Sequence, residues 1–222
     1  MNNDYQKVKS LYSIYKNKLS STNTGEMPED SFSSIRDICD ITKPKSILEI
    51  GFNRGNSALM WLLNSEASLI SIDIRKKEEL KSSLEVINSE FGNRFNYYTL
   101  DAYKELSFKN EWVGKFDLIF IDCWHVPIGY ELDTNTSLYF GSPFIAYDDY
   151  LNHKHSGYIK NFVKNNPNLE EIKTYNTGTG QSLIKNINYP QTKGNVEILE
   201  NIKNIILNNK LKFEDLAKAY NI

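Results

Sequence analysis

The stretch Ser46-Ile47-Leu48-Glu49-Ile50-Gly51-Phe52-Asn53-Arg54-Gly55-Asn56-Ser57-Ala58-Leu59-Met60-Trp61-Leu62 limits what this chain can fold into more than any other part of it. A short apolar run gives way to a turn bounded by two glycines, and then to residues of helical periodicity. That order predicts a strand, a tight turn and an amphipathic helix. Such a unit sets free backbone N–H groups, at the positive end of a helix dipole, above the carboxyl edge of a sheet. Gly51 and Gly55 let a ligand approach the backbone, because no Cβ intervenes. The dinucleotide fingerprint G-x-G-x-x-G is not met, since Asn53 and Asn56 stand where its second and third glycines belong. What stands instead is E-x-G-x-x-x-G, with Glu49 two residues ahead of the first glycine.

The rest of the chain arranges itself around that unit. Tyr5, Val8, Tyr12, Tyr15 and Leu19 recur at three- and four-residue steps, which predicts one buried face of an N-terminal helix. Pro28-Glu29-Asp30 opens a second helix that ends at Lys43-Pro44-Lys45. Beyond the glycine turn, strands are expected at 69–74, 95–100, 116–122 and 144–149, with a helical face marked by Leu80, Leu84, Ile87 and Phe91 and a helix from Pro127 to Phe140. The run Phe116 to Asp122 is nearly all apolar, which suits a strand covered on both faces. The stretches 169–175 and 181–187 flank Thr177-Gly178-Thr179-Gly180 and predict a closing hairpin. Strand–helix alternation of this kind predicts an α/β fold with a mostly parallel sheet between two helical layers. We expect an N-terminal helical cap at 1–42, a core at 43–189 and a helical tail at 190–222, all in one structural domain.

Composition excludes some function classes. Lysine and arginine total 26 against 28 acids, so no basic surface argues for nucleic acid. No apolar run approaches the ~20 residues that span a bilayer, and the polar start Met1-Asn2-Asn3-Asp4 does not read as a signal peptide. Cys39 and Cys123 have neither disulfide-framework nor metal spacing, so a reduced, cytoplasmic setting is expected.

Acids fall at the ends of the expected strands: Glu49, Asp73, Asp101, Asp122 and the pair Asp148-Asp149. In an open parallel sheet, ligands bind beyond those ends. Singly, each could be a solvated turn residue or a helix cap. As a set they predict a site. Asp73 lies twenty-two positions after Gly51, where an acid at the second strand's tip accepts the hydroxyls of a ribose. Asp101, one strand over, would then face an adenine.

With these residues in view, the chain resembles class I S-adenosylmethionine-dependent methyltransferases over about residues 28 to 187, in Leu48-Glu49-Ile50-Gly51-Phe52-Asn53-Arg54-Gly55, Asp73, Asp101-Ala102 and the run to Asp122. The resemblance implies a Rossmann-like seven-stranded sheet whose last strand is antiparallel, with S-adenosylmethionine as cofactor. It implies that Gly51 and Gly55 abut the methionine moiety and that Glu49 supports their loop. Asp73 would bind the ribose, and Asp101 with Ala102 the adenine. Asn53 departs from the glycine that many members carry. Phe120-Ile121-Asp122-Cys123-Trp124-His125 and Ala146-Tyr147-Asp148-Asp149 resemble, more narrowly, the metal-dependent O-methyltransferases of catechols and of sugar hydroxyls in natural products. That implies Mg²⁺ on Asp122, Asp148 and Asp149, with His125 as general base; Asp122 also borders the cofactor. Mg²⁺ takes hard oxygen ligands. Bound to a hydroxyl, it lowers the hydroxyl's pKa, and a neutral imidazole can then take the proton.

The function expected is methyl transfer to a hydroxyl of a small molecule, a sugar, glycoside or natural product before a catechol. Two alternatives are a metal-independent N- or C-methyltransferase, whose acids hold a cationic acceptor, and a non-catalytic binding subunit of the same fold. His153 and His155 follow the acid pair and have the look of surface-loop histidines. The N- and C-terminal helices could cap the domain or pair two copies into a homo-oligomer.

Overall fold

The computed structural model describes residues 3–19, 27–102, 104, 109–123 and 126–209. Trp124, His125 and residues 210–222 of the C-terminal tail lie outside them. The elements run in the order α1 (Asn3–Lys16), α2 (Phe32–Thr42), β1 (Ser46–Ile50), α3 (Asn56–Asn64), β2 (Ser68–Asp73), α4 (Lys81–Phe91), β3 (Phe95–Thr99), β4 (Leu118–Ile121), α5 (Pro127–Phe140), β5 (Phe144–Tyr147), α6 (His153–Asn165), β6 (Leu169–Thr174), β7 (Ser182–Asn186) and α7 (Val196–Asn208). Single turns of 3-10 helix precede α2 and β4. Among the described residues no helix is long and apolar enough to cross a membrane.

The seven strands form one sheet in the order β3-β2-β1-β4-β5-β7-β6. Pairing is parallel from β3 to β5, and β7 runs antiparallel to both of its neighbours. This is the Rossmann-like methyltransferase arrangement expected above. From β1 the chain winds one way through β2 and β3, then returns to add β4 on the other side. The crevice between β1 and β4 is therefore the topological switch point, where ligands bind beyond the strand ends.

Each face of the sheet carries its own apolar core. Tyr12, Phe32, Ile35 and Ile38 of the first two helices close on Leu59, Trp61, Phe120 and Leu183 on one side. On the other, α5, α6 and α7 contribute Leu132, Ile159 and Ile202 to a cluster with Leu48, Ile119 and Ile145. The helix after the glycine turn differs from its expected pattern. Asn56 to Leu62 of α3 are buried without interruption, so α3 is not amphipathic. With the sheet beneath it and α1 and α2 over it, no face of that helix is left for water, and an all-round apolar sequence results. α7 lays Ile202 and Ile205 on the α5 side of the sheet, so this part of the tail covers the domain's own core.

Candidate active site at the switch point

Strand register brings the sequence's scattered acids into one row. Ile50 pairs with Ile72 and Ile121, and Ile121 with Tyr147. One step beyond that row stand Gly51, Asp73, Asp122 and Asp148. The ladder continues through them: Gly51 N donates to Ile72 O at 2.9 Å, Asp122 N to Ile50 O at 2.9 Å and Asp148 N to Ile121 O at 3.1 Å. Glu49 sits one step behind Ile50 and so shares the side-chain face of Gly51.

The two glycines are required by packing around the turn itself. At Gly51, with φ +102°, an added Cβ would fall 1.9 Å from the Asp122 carbonyl oxygen. At Gly55, with φ +84°, it would fall 2.6 Å from Phe52 Cζ and 2.8 Å from Ile87 Cδ1. Gly51 thus lets β1 and β4 close at the switch point, and Gly55 lets the turn sit down on α4. Asn53 takes φ +48°, a left-handed conformation that asparagine tolerates better than most residues. Its Oδ1 accepts from the Arg75 guanidinium.

Asp73 fastens the turn. Its Oδ2 accepts the backbone N–H of Phe52 at 3.2 Å and of Asn53 at 2.8 Å, and its Oδ1 accepts that of Arg75 at 3.0 Å. Asp101 pairs with Lys104 at 3.0 Å, and Ala102 beside it is buried. A narrow recess between the turn and β4 is lined by Met27, Phe52, Asn53, Arg54, Asn56, Ser57 and Asp122. Met27 reaches it from the segment ahead of α2, so the N-terminal layer contributes to the wall.

The acids share one electrostatic field. Glu49 is fully buried, and burial pushes its carboxyl up to about 8; the field of Asp73 adds to this while the Ser57 and Ser71 hydroxyls oppose it. Ser71 Oγ donates to Glu49 Oε2 at 2.5 Å. Asp122 is partly open to the recess, yet desolvation drives its pKa well above the ordinary carboxylate range. The fields of Asp148, Asp149, Glu49 and Asp73 then raise it further. Asp148 is pushed by burial to about 6, held there by donors from Thr179, Gln181 and the Asp149 backbone. Asp149 leaves β5 at φ +57°.

Asp148 and Asp149 raise Asp122, and Asp149 raises Asp148; three hard carboxylates in such a field are the donor chemistry of a divalent cation site, because a cation relieves the repulsion. In that respect the residues fit Mg²⁺. Their oxygens are not drawn around a common point: among the described residues no group of three His, Cys, Asp or Glu side chains is gathered to hold a metal ion. His125 lies outside the described residues. His153 is exposed at the start of α6, whereas the ring of His155 stands 5.9 Å from that of Tyr130.

Sequence reasoning missed two residues here. Tyr130, on α5, is 3% exposed, and Asp149, Asp122 and Asp148 all raise its phenol, after burial has done so first. Gln181 is fully buried and donates to Asp148 at 2.6 Å. An aromatic in a helix and a glutamine at a strand start carry no local signal of either contact.

Comparison with known proteins agrees with this fold. A family model described as O-methyltransferase matches residues 5–154. No curated protein matches in sequence. Among solved structures, the chain is similar to the methyltransferase PaMTH1 of Podospora anserina with S-adenosylhomocysteine bound, at 20% identity and TM-score 0.57, covering 83% of this chain and 88% of that one. It is similar to TomG of Streptomyces achromogenes, an O-methyltransferase in complex with S-adenosylmethionine, at 13% identity and TM-score 0.61, covering 83% and 90%. An O-methyltransferase of Bacillus cereus in complex with S-adenosylhomocysteine gives 16% identity and TM-score 0.60, covering 83% and 91%.

Proposed function

Because this chain belongs to the O-methyltransferase family and is an S-adenosylmethionine-dependent methyltransferase, we propose that it methylates a hydroxyl of a small polar molecule with a divalent cation at Asp122, Asp148 and Asp149. The carrying observation is the common field of those three acids at the edge of the β1–β4 crevice, where Asp148 and Asp149 both raise Asp122.

The chain's residues divide the work. The turn from Gly51 to Gly55 and the N-terminus of α3 receive the methionine end of the cofactor, whose carboxylate suits the positive end of a helix. Asp73 ties down the turn through the N–H groups of Phe52 and Asn53 and accepts a third from Arg75, so its carboxylate is held for a ribose before the ligand arrives. Asp101 takes the adenine side with Ala102. The cofactor supplies an electrophilic methyl group, and Mg²⁺ at the three acids would lower the pKa of a hydroxyl bound to it. His125 receives that hydroxyl's proton, and the acids fix the acceptor's orientation toward the methyl. A sugar, glycoside or natural-product hydroxyl is the preferred acceptor, a catechol the next. TomG, which takes part in tomaymycin synthesis, is a structural neighbour in line with that preference.

The test is methyl transfer from labelled S-adenosylmethionine to a panel of glycosides, polyols and catechols. The expected outcome is turnover that chelator abolishes and Mg²⁺ restores, with Asp122→Asn and His125→Ala each lowering kcat by about 10²-fold or more. Turnover indifferent to chelator would overturn the metal assignment, and near-wild-type kcat in His125→Ala would overturn the base.

A further inference from the structure

Two side chains of the β6–β7 turn close on one oxygen of Asp148. Thr179 Oγ1 donates to Oδ1 at 2.6 Å, and Gln181 Nε2 donates to the same oxygen at 2.6 Å. Gln181 is fully buried, and its amide is engaged at both ends. Its Oε1 meets the hydroxyl of Ser34 on α2, and its Nε2 lies 3.4 Å from Ser31 Oγ. Turned the other way, the amide would set its carbonyl oxygen against a carboxylate oxygen, two acceptors in a buried place.

The same turn is seated on α2 by contacts that leave it little freedom. Gly178, at φ +61°, lies so close that an added Cβ would fall 1.9 Å from Ser31 Oγ. Further on, within α2, Asp37 accepts from Lys173 at 2.7 Å and from Tyr175 at 2.5 Å. The path from helix to edge acid is therefore short: α2, Ser34, Gln181, Asp148.

We propose that Gln181 is a positioning residue. It fixes the direction of the Asp148 carboxylate and, through Ser34, ties that direction to the seating of α2 on the hairpin. The proposal rests on the reading of Asp148 as a cation ligand and deepens it. A carboxylate held at Oδ1 by two donors keeps one orientation, so a cation that gathers the three acids has one fewer side chain to order. A glutamine that merely fills a buried polar hole would leave cation affinity alone. A positioning glutamine sets it.

The experiment titrates Mn²⁺, as the probe metal, into the full chain by calorimetry, with S-adenosylhomocysteine titrated in parallel. Gln181→Met keeps the length of the side chain and removes the donor. Its Kd for Mn²⁺ is expected to rise about 10- to 100-fold, the usual effect of losing an outer partner of a metal ligand. The Kd for S-adenosylhomocysteine stays within about twofold, since Gln181 touches no part of the glycine turn. Ser34→Ala, which leaves the Asp148 contacts in place, gives a smaller rise. Wild-type Mn²⁺ affinity in Gln181→Met overturns the proposal. If that variant loses S-adenosylhomocysteine as well, Ser34→Ala decides: a weakened Mn²⁺ site supports the proposal and an unchanged one overturns it. A wild-type chain that binds no Mn²⁺ overturns the cation reading itself, and Gln181's role with it.

Discussion

Asp73 Oδ2 accepts the backbone N–H of Asn53 at 2.8 Å across the tip of β2, and the adjacent N–H of Phe52 reaches the same oxygen. The acid proposed to face the cofactor's ribose thus also shapes the loop proposed to receive its methionine end. On that proposal, loop geometry and nucleoside binding are coupled at one carboxylate.

Asp73→Ala should accordingly damage more than a ribose contact. Each lost bond to a charged acceptor is worth about 1.5–3 kcal/mol locally, and the freed N–H groups remain half-buried. The expected outcome is at least a tenfold weaker S-adenosylhomocysteine Kd together with a lower urea midpoint. Asp73→Asn, which keeps acceptor oxygen, should recover part of the midpoint. Calorimetry beside chemical denaturation reads both, and a variant with normal stability and normal affinity would contradict the coupling.

Gly55 and Gly157 make opposite predictions for the same substitution. A methyl at Gly55 meets Phe52 and Ile87 below 3 Å on a left-handed backbone. Gly55→Ala should cost about 1–3 kcal/mol by strain and overpacking. Gly157, inside α6, has nothing within 4 Å of an added Cβ. Gly157→Ala should stabilise by roughly 0.5–1 kcal/mol through helix propensity. Urea denaturation of the two variants checks the contrast in sign.

Asp133 supplies a pH prediction away from the site. It is 1% exposed on α5, and among the described residues neither carboxylate oxygen has a hydrogen-bond partner. Burial pushes its pKa from the ordinary 3.8 up to about 8. The folded chain thus holds this proton more tightly than the unfolded one. Its contribution to stability is full below about pH 4 and is lost as pH rises toward about 8. Asp133→Asn should flatten the fall in stability over that window by up to about 1.4 kcal/mol per pH unit. Some slope remains, because Glu49 is raised to about 8 as well. Denaturation midpoints at several pH values decide it, and parallel pH profiles for wild type and variant would contradict the assignment.

Much of this was legible in the residues, for reasons that are local. The apolar runs of β1 and β4 announce strands buried on both faces, and β6 and β7 announce themselves by the Gly-containing turn between them. The acids at strand tips follow from the same alternation, because sheet register converts sequence position into a row. What was not legible depends on distant parts of the chain. The burial of α3 on every side is decided by α1 and α2, which cover it, and its own sequence shows only that it is apolar. Gln181 meets Asp148 across 33 positions and Ser34 across 147. Tyr130 reads as one more core aromatic until the fold brings its helix beside the acids. Asn53 was the odd residue of the turn, and its partner, Arg75, lies one strand over.

The most direct measurement is calorimetric titration of S-adenosylhomocysteine into the wild-type chain and into Asp73→Ala. One site per chain is expected in the wild type, with an isotherm weakened at least tenfold in the variant. A flat wild-type isotherm, or equal affinity in the two proteins, would contradict the placement of the methyl donor on the Gly51–Gly55 turn and Asp73.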